Sequence, residues 1–160
     1  MHHSKWSISS TGNFLHNNHL IVPGHLTIIH LEDHHLYAKG LKECILPFFP
    51  RADILNISNG NRALVLMKEF ITDKLKVDLV ITDINHPGLK GDEFLQELRS
   101  FEKEMNVTRT PVMVISFVEA ERMWHILRPG LDIVDRYLNK CAETEVIAEA
   151  MEDILYPGKK

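Results

Sequence analysis

Asp83 closes a short apolar run, Val77-Asp78-Leu79-Val80-Ile81-Thr82-Asp83, and Pro87, Gly88 and Gly91 then force a loop. A run of this length bounded by turn residues predicts a strand buried on both faces, with the carboxylate at its carboxyl end. Other predicted strands end in related groups. Glu32 and Asp33 follow residues 26–31, Ser116 follows 111–115, and Lys140 follows 133–138. If these strands run parallel, their carboxyl ends share one rim, where an open α/β sheet places its ligands. Crowded carboxylates repel one another unless a hard cation sits among them. Mg²⁺ suits such a site, because it takes one or two protein carboxylates and leaves room for phosphate oxygens. A lysine adds a point charge for a phosphoryl oxygen, and a serine hydroxyl adds a hydrogen bond. An aspartate in that company is an activated nucleophile able to form an acyl phosphate. Phosphoryl transfer asks mainly for positioning and charge neutralisation, which this set offers.

The elements that must position these groups are legible as an alternation. Residues 26–31 read as a first strand, and Tyr37, Leu41, Cys44, Ile45 and Phe48 mark a helix that stops near Pro47 and Pro50. Residues 52–57 read as a second strand, and Ser58 or Asn59 caps a helix carrying Leu64, Met67, Phe70 and Ile71. The strand ending at Asp83 is third, and a helix from Gly91-Asp92 lines up Phe94, Leu98 and Phe101. A fourth strand, a short helix over 118–127 closed by Pro129-Gly130, a fifth strand over 133–138 and a final helix complete the series. That last helix turns Val146, Ile147, Ala150, Met151, Ile154 and Leu155 inward and has Glu143 and Glu145 in its first turn. Alternation of this kind predicts an α/β fold, a five-stranded parallel sheet doubly wound by helices.

Length and composition bound the possibilities. The 160 residues favour a single domain spanning 25–160, preceded by a polar extension over 1–24. That extension is rich in His, Ser and Asn, shows neither helical nor strand periodicity, and is expected to be partly disordered, with Trp6 or Phe14 docked on the domain. His2, His3, His16 and His19 lack a nearby carboxylate or thiol to complete a metal site and read as a solvated tail. The net charge of −4 argues against non-specific DNA affinity. Cys44 and Cys141 form no metal or redox motif, which suits a reducing, cytoplasmic setting. No apolar stretch is long enough to span a membrane, and the N-terminus lacks the apolar core of a signal peptide.

Residues 26–155 resemble the receiver domain of bacterial two-component response regulators. Glu32-Asp33 matches the family's acidic pair. Asp83 with Pro87 and Gly91 matches its phosphoacceptor Asp with the Pro and Gly that follow. Ser116, Tyr137 and Lys140 match its Ser/Thr, switch aromatic and lysine. The resemblance implies a flavodoxin-like strand order of 2-1-3-4-5. It also implies that Asp83 takes a phosphoryl group from a histidine kinase or phosphotransfer protein. Mg²⁺ would be held by Asp33, Asp83 and the Asn85 main-chain carbonyl, with Glu32 acting through water. Ser116 and Tyr137 would then switch, offering a downstream protein, or a second copy of the chain, the face of the fourth helix, fifth strand and last helix. Only residues 156–160 follow the last helix, so output through protein contacts is expected, with no DNA-binding domain in this chain.

Some positions depart from the family pattern. Phe117 stands where the family usually has Ala or Gly; a ring there either narrows access to Asp83 or folds onto the core. Cys141 replaces a Pro whose preceding peptide is often cis, which leaves the loop either trans or strained. Asn85 could orient a water, whereas Val118 could not. His30 reads as a core histidine, and His34, His35 and His86, near the rim, read as exposed loop imidazoles rather than as groups touching metal or phosphoryl oxygens. Trp124 suits a partner contact. Two other functions compete: a degenerate receiver acting as a phosphorylation-independent interaction module, and a metal-dependent phosphatase. The phosphatase would want a second Asp two residues after Asp83, where Asn85 stands.

Overall fold

The computed structural model describes residues 6–8, 14–16, 19–127 and 132–159, and the side chains from residue 22 onward. Five strands make one parallel sheet: β4 (Leu26–Leu31), β5 (Ala52–Ile57), β6 (Leu79–Thr82), β7 (Val112–Ser116) and β8 (Arg136–Asn139). Their order is β5-β4-β6-β7-β8, so the first strand of this sheet lies beside the second and third, as 2-1-3-4-5 requires. β4 and β6 are buried almost throughout, because helices cover both faces. Ile29, Leu31, Val80, Val112 and Val114 face one core with α2 (Gly60–Thr72) and α3 (Gly91–Glu104). Ile28, Leu79, Ile81, Met113 and Ile115 face the other with α1 (His35–Ile45) and α5 (Thr144–Leu155).

Caps fix where the helices begin. The His34 ring accepts the Tyr37 N–H at 3.2 Å, and Asn59 accepts from Asn61 and Arg62 at 3.0 and 3.3 Å. Glu93 accepts the Lys90 N–H at 3.0 Å at the start of α3. Gly91 allows that helix to sit directly on the Asp83 main chain, since a Cβ there would run into the Asp83 carbonyl.

Several expected boundaries move. The fifth strand is Arg136–Asn139 rather than 133–138; Asp132 has φ 52°, and the Asp135 side chain accepts the Val112 N–H, so the approach to the strand is knotted rather than extended. The helix expected over 118–127 is a 3₁₀ turn, Ala120–Met123, followed by the single-turn α4 (Trp124–Leu127). Its expected closure at Pro129-Gly130 lies outside the described residues. Phe49, not Phe48, enters the core, because the chain turns after Ile45. In the N-terminal stretch, read without strand periodicity, β1 (Trp6–Ile8), β2 (Phe14–His16) and β3 (His19–Ile21) pair as an antiparallel sheet. Three residues per strand give too few alternations to register as a period. Docking of Trp6 or Phe14 and any role for His2, His3, His16 and His19 rest on side chains outside the described residues.

Candidate functional site

β4, β6, β7 and β8 run parallel, so their ends bring Glu32, Asp83, Ser116 and Lys140 onto one rim. Main-chain bonds hold the strand exits in step. Asp83 N–H donates to Leu31 O at 3.1 Å, Glu32 N–H to Ile57 O at 3.0 Å, and Lys140 N–H to Ser116 O at 3.1 Å. The Lys140 ammonium sits between two carboxylates, 2.6 Å from Glu32 Oε2 and 2.7 Å from Asp83 Oδ2. All three side chains are over nine-tenths buried. The other Asp83 oxygen, Oδ1, accepts from Ser116 Oγ at 2.5 Å and from Ile84 N–H at 2.5 Å. Glu32 Oε1 accepts the His34 N–H at 3.0 Å.

These contacts set the charges. Burial alone would raise the Asp83 carboxyl, but hydrogen bonds from Lys140, Ser116 and Ile84 outweigh it and hold the group below its usual range. Burial alone would lower Lys140, but Asp83 and Glu32 outweigh it and the ammonium is held above its usual range. At neutral pH Asp83 is therefore a carboxylate facing the Lys140 ammonium.

The remaining predicted residues are placed differently. Asp33 and Asn85 lie exposed beside the buried group. Tyr137 is half-buried, and its hydroxyl donates to Val118 O at 2.8 Å, tying the fifth strand of the sheet to the loop after Ser116. Among the described residues no three His, Cys, Asp or Glu side chains gather closely enough to share an ion. The donor chemistry nonetheless fits Mg²⁺, which needs only one or two protein carboxylates, and Glu32 and Asp83 already converge on one cation.

Phe117 does not fold onto the core. It is 66% exposed, and its ring centroid lies 5.6 Å from Lys140 Nζ. The Lys140–Cys141 peptide is trans, and the Cys141 N–H, which a proline would lack, donates to Asn139 Oδ1 at 2.8 Å. Trp124 is 62% exposed. His34 is the helix cap and His35 is exposed, but His86 is only 3% exposed, contrary to its reading as an exposed imidazole. Gly60 makes room for its ring: a Cβ there would lie 2.9 Å from His86 Cε1. Burial holds the His86 imidazole below its usual value. His30 is buried under the site and lowered to about 4, by burial first and by Lys140 second.

Sequence reasoning missed Tyr37, which it read only as a core position. Its ring does pack toward the α1–α5 core, yet its centroid also lies 4.5 Å from Lys140 Nζ. Burial, then Glu32 and Asp83, push its hydroxyl up to about 12. The available signal was an aromatic in the first turn of the helix that leaves the acidic pair.

Comparison with known proteins places this arrangement among relatives. The model of the response regulator receiver domain matches residues 28–152. The nitrate/nitrite response regulator protein NarL of Escherichia coli K12 is 30% identical over 125 residues, covering 78% of this chain and 52% of NarL. The chain thus spans about half the length of the curated relatives it matches. Among solved structures, a DNA-binding response regulator of the LuxR family from Staphylococcus aureus is 23% identical with a TM-score of 0.64. That match covers 81% of this chain and 98% of the other. A response regulator receiver domain protein from Clostridium thermocellum is 17% identical with a TM-score of 0.64, covering 81% and 94%. At these identities the structural likeness speaks for the fold. Among the described residues no helix is long and apolar enough to cross a membrane.

Proposed function

The chain belongs to the response regulator receiver domain family, and on that premise we propose that it is the phosphoacceptor switch of a two-component relay, with Asp83 as acceptor. The observation that carries this reading is the Asp83 carboxylate, held ionised by Lys140 and Ser116 at the end of a buried strand. Asp83 attacks the phosphorus of a phosphohistidine on a histidine kinase or phosphotransfer protein. The new O–P bond forms as the N–P bond breaks, and the leaving imidazole keeps the electron pair. Lys140 neutralises charge on the transferred group, and the Ser116 hydroxyl turns from Asp83 Oδ1 to donate to a phosphoryl oxygen. Asp83, Asp33, the Asn85 carbonyl and Glu32 would hold Mg²⁺, which supplies neutralisation of the phosphoryl oxygens when bound. Movement of Ser116 disturbs the Val118 N–H that it accepts at 3.2 Å, and Val118 O is the partner of Tyr137. That chain of contacts leads from the acceptor to the α4–β8 face, which carries exposed Trp124, and a downstream protein in the cytoplasm reads the change there.

Phosphotransfer from a panel of histidine kinases to the chain, with Asp83→Asn as control, tests the proposal. Transfer that requires Mg²⁺ and vanishes in Asp83→Asn is the expected result. No transfer, together with no shift on adding beryllofluoride and Mg²⁺, replaces the switch by a constitutive interaction module.

A further inference from the structure

Four groups lie close to the Lys140 ammonium among the described residues. Two are the carboxylates of Glu32 and Asp83; the others are the rings of Tyr37 at 4.5 Å and Phe117 at 5.6 Å from ring centroid to Nζ. Both rings lie within the distance at which an aromatic face attracts a cation. They come from separate elements, Tyr37 from the first turn of α1 and Phe117 from the loop after β7. Tyr37 has a packing reason to be there, since it rests on the α1–α5 core. Phe117 has none: it belongs to neither core cluster and leaves 66% of its surface in water. Burial of apolar area therefore does not account for its position, whereas the ammonium beneath it does.

We propose that Tyr37 and Phe117 are positioning residues that clamp the Lys140 ammonium between Glu32 and Asp83 and so oppose entry of a divalent cation at the same carboxylates. The clamp deepens the phosphoacceptor reading and borrows its metal site from that reading, but the hold on Lys140 stands on the ring geometry alone. A cation arriving at Glu32 and Asp83 has to loosen the ammonium from both carboxylates. Each ring that retains the ammonium adds to that cost.

Two measurements on the full chain test it. The first is the rate at which a small amine-reactive ester labels Lys140, read by peptide mass spectrometry against Lys39, whose side chain is 73% exposed. A hold through the ring face orders the rates as Phe117→Leu above wild type and Phe117→Trp below it, with Tyr37→Phe unchanged and Tyr37→Leu raised. Each lost ring is expected to give about a two- to fivefold increase. Phe117→Leu retains an apolar cover at an exposed position, so its fold is secure; plain steric shielding, which a smaller side chain also relieves, would raise labelling but leave Mg²⁺ affinity unchanged. The second is Mg²⁺ affinity by calorimetry, expected about two- to fivefold tighter in Phe117→Leu, with Phe117→Tyr restoring the wild-type value. Equal labelling of wild type, Phe117→Leu and Tyr37→Leu overturns the clamp; unchanged Mg²⁺ affinity in Phe117→Leu overturns its opposition to the metal. Labelling needs neither phosphodonor nor metal. A chain that takes no phosphoryl group yet labels in the stated order loses the phosphoacceptor reading and keeps the clamp.

Discussion

The two ends of the sheet both bury or half-bury charge, and they use it differently. At the amino end, four carboxylates accept a main-chain N–H from outside their own element, three of them from segments distant in the chain. Asp53 takes Val22 at 3.1 Å, Asp78 takes Thr27 at 2.9 Å, Glu102 takes Thr110 at 2.7 Å and Asp135 takes Val112 at 2.7 Å. Arg99 completes the Glu102 knot with a 2.7 Å ion pair and donates twice to Ile133 O. At the carboxyl rim, the main-chain donors to the Glu32 and Asp83 carboxylates come from their own loops, and those carboxylates reach other elements through side chains, Lys140 and Ser116. Main-chain partners cannot leave without unfolding; side-chain partners can rotate away. The amino end is therefore a set of staples, and the rim is a set of exchangeable contacts.

The contrast is broken most directly by removing one acid from each end. Glu102→Ala leaves the Arg99 guanidinium buried without its partner and frees the Thr110 N–H, and is expected to cost about 3–5 kcal/mol in urea unfolding. Asp83→Asn leaves Lys140 paired with Glu32 and retains an acceptor for Ser116 and Ile84, so its cost is expected to be under about 1 kcal/mol while phosphotransfer is abolished. Equal costs at the two positions would erase the distinction between staple and exchangeable contact.

A second test uses acid. His30 lies beneath the rim with its imidazole lowered to about 4, below the ordinary 6.5 of the unfolded chain. Between those values the unfolded state binds the extra proton, so stability is full above about pH 6.5 and falls as pH drops towards 4, by on the order of 3 kcal/mol in total. His30→Leu, compared with wild type by urea unfolding in EDTA at pH 7 and pH 5, is expected to flatten that slope. An unchanged slope would move the acid sensitivity to other groups.

Much of this difference was legible in the residues, but unevenly. Leu26–Leu31 and Ala52–Ile57 are found at their expected bounds, because six-residue stretches with four apolar positions each, set between turn signals, leave little freedom. Glu32, Asp83, Ser116 and Lys140 could be brought together on paper because a parallel sheet puts every strand exit on one side. What could not be read was anything set by packing across elements. His86 is buried because a glycine from α2 faces it, and Tyr37 serves the rim because β4 aims its helix past Lys140. The staples were invisible for the same reason: Asp135 meets Val112 only after the approach to β8 has turned, and that turn displaces the strand from its expected start.

Asp135→Asn probes that turn with a smaller effect. The amide keeps an acceptor for Val112 but surrenders the charge that also holds Arg109 at 2.9 Å. With the pair partly exposed, the expected loss is about 1 kcal/mol in urea unfolding. A loss as large as that of Glu102→Ala would show that the amino end acts as one indivisible network.

The smallest effect belongs to the rim loop. Asn139 Oδ1 accepts the Cys141 N–H at 2.8 Å, and Asn139 O accepts the Ala142 N–H at 2.9 Å, so the turn carrying Lys140 is closed by one exposed residue. Cys141→Pro removes the first donor and leaves the second, and in an exposed turn water replaces the lost bond. The expected cost is about 0.5–1 kcal/mol, matched by Asn139→Ala, with no further loss when the two are combined. If the rim contacts are exchangeable, Lys140 keeps its two carboxylates through this change, and its labelling by the amine reagent stays within about twofold of wild type, the change expected from altering less than one ring contact. Labelling that rises tenfold would mean that the turn, rather than the acids and rings around the ammonium, fixes where Lys140 stands.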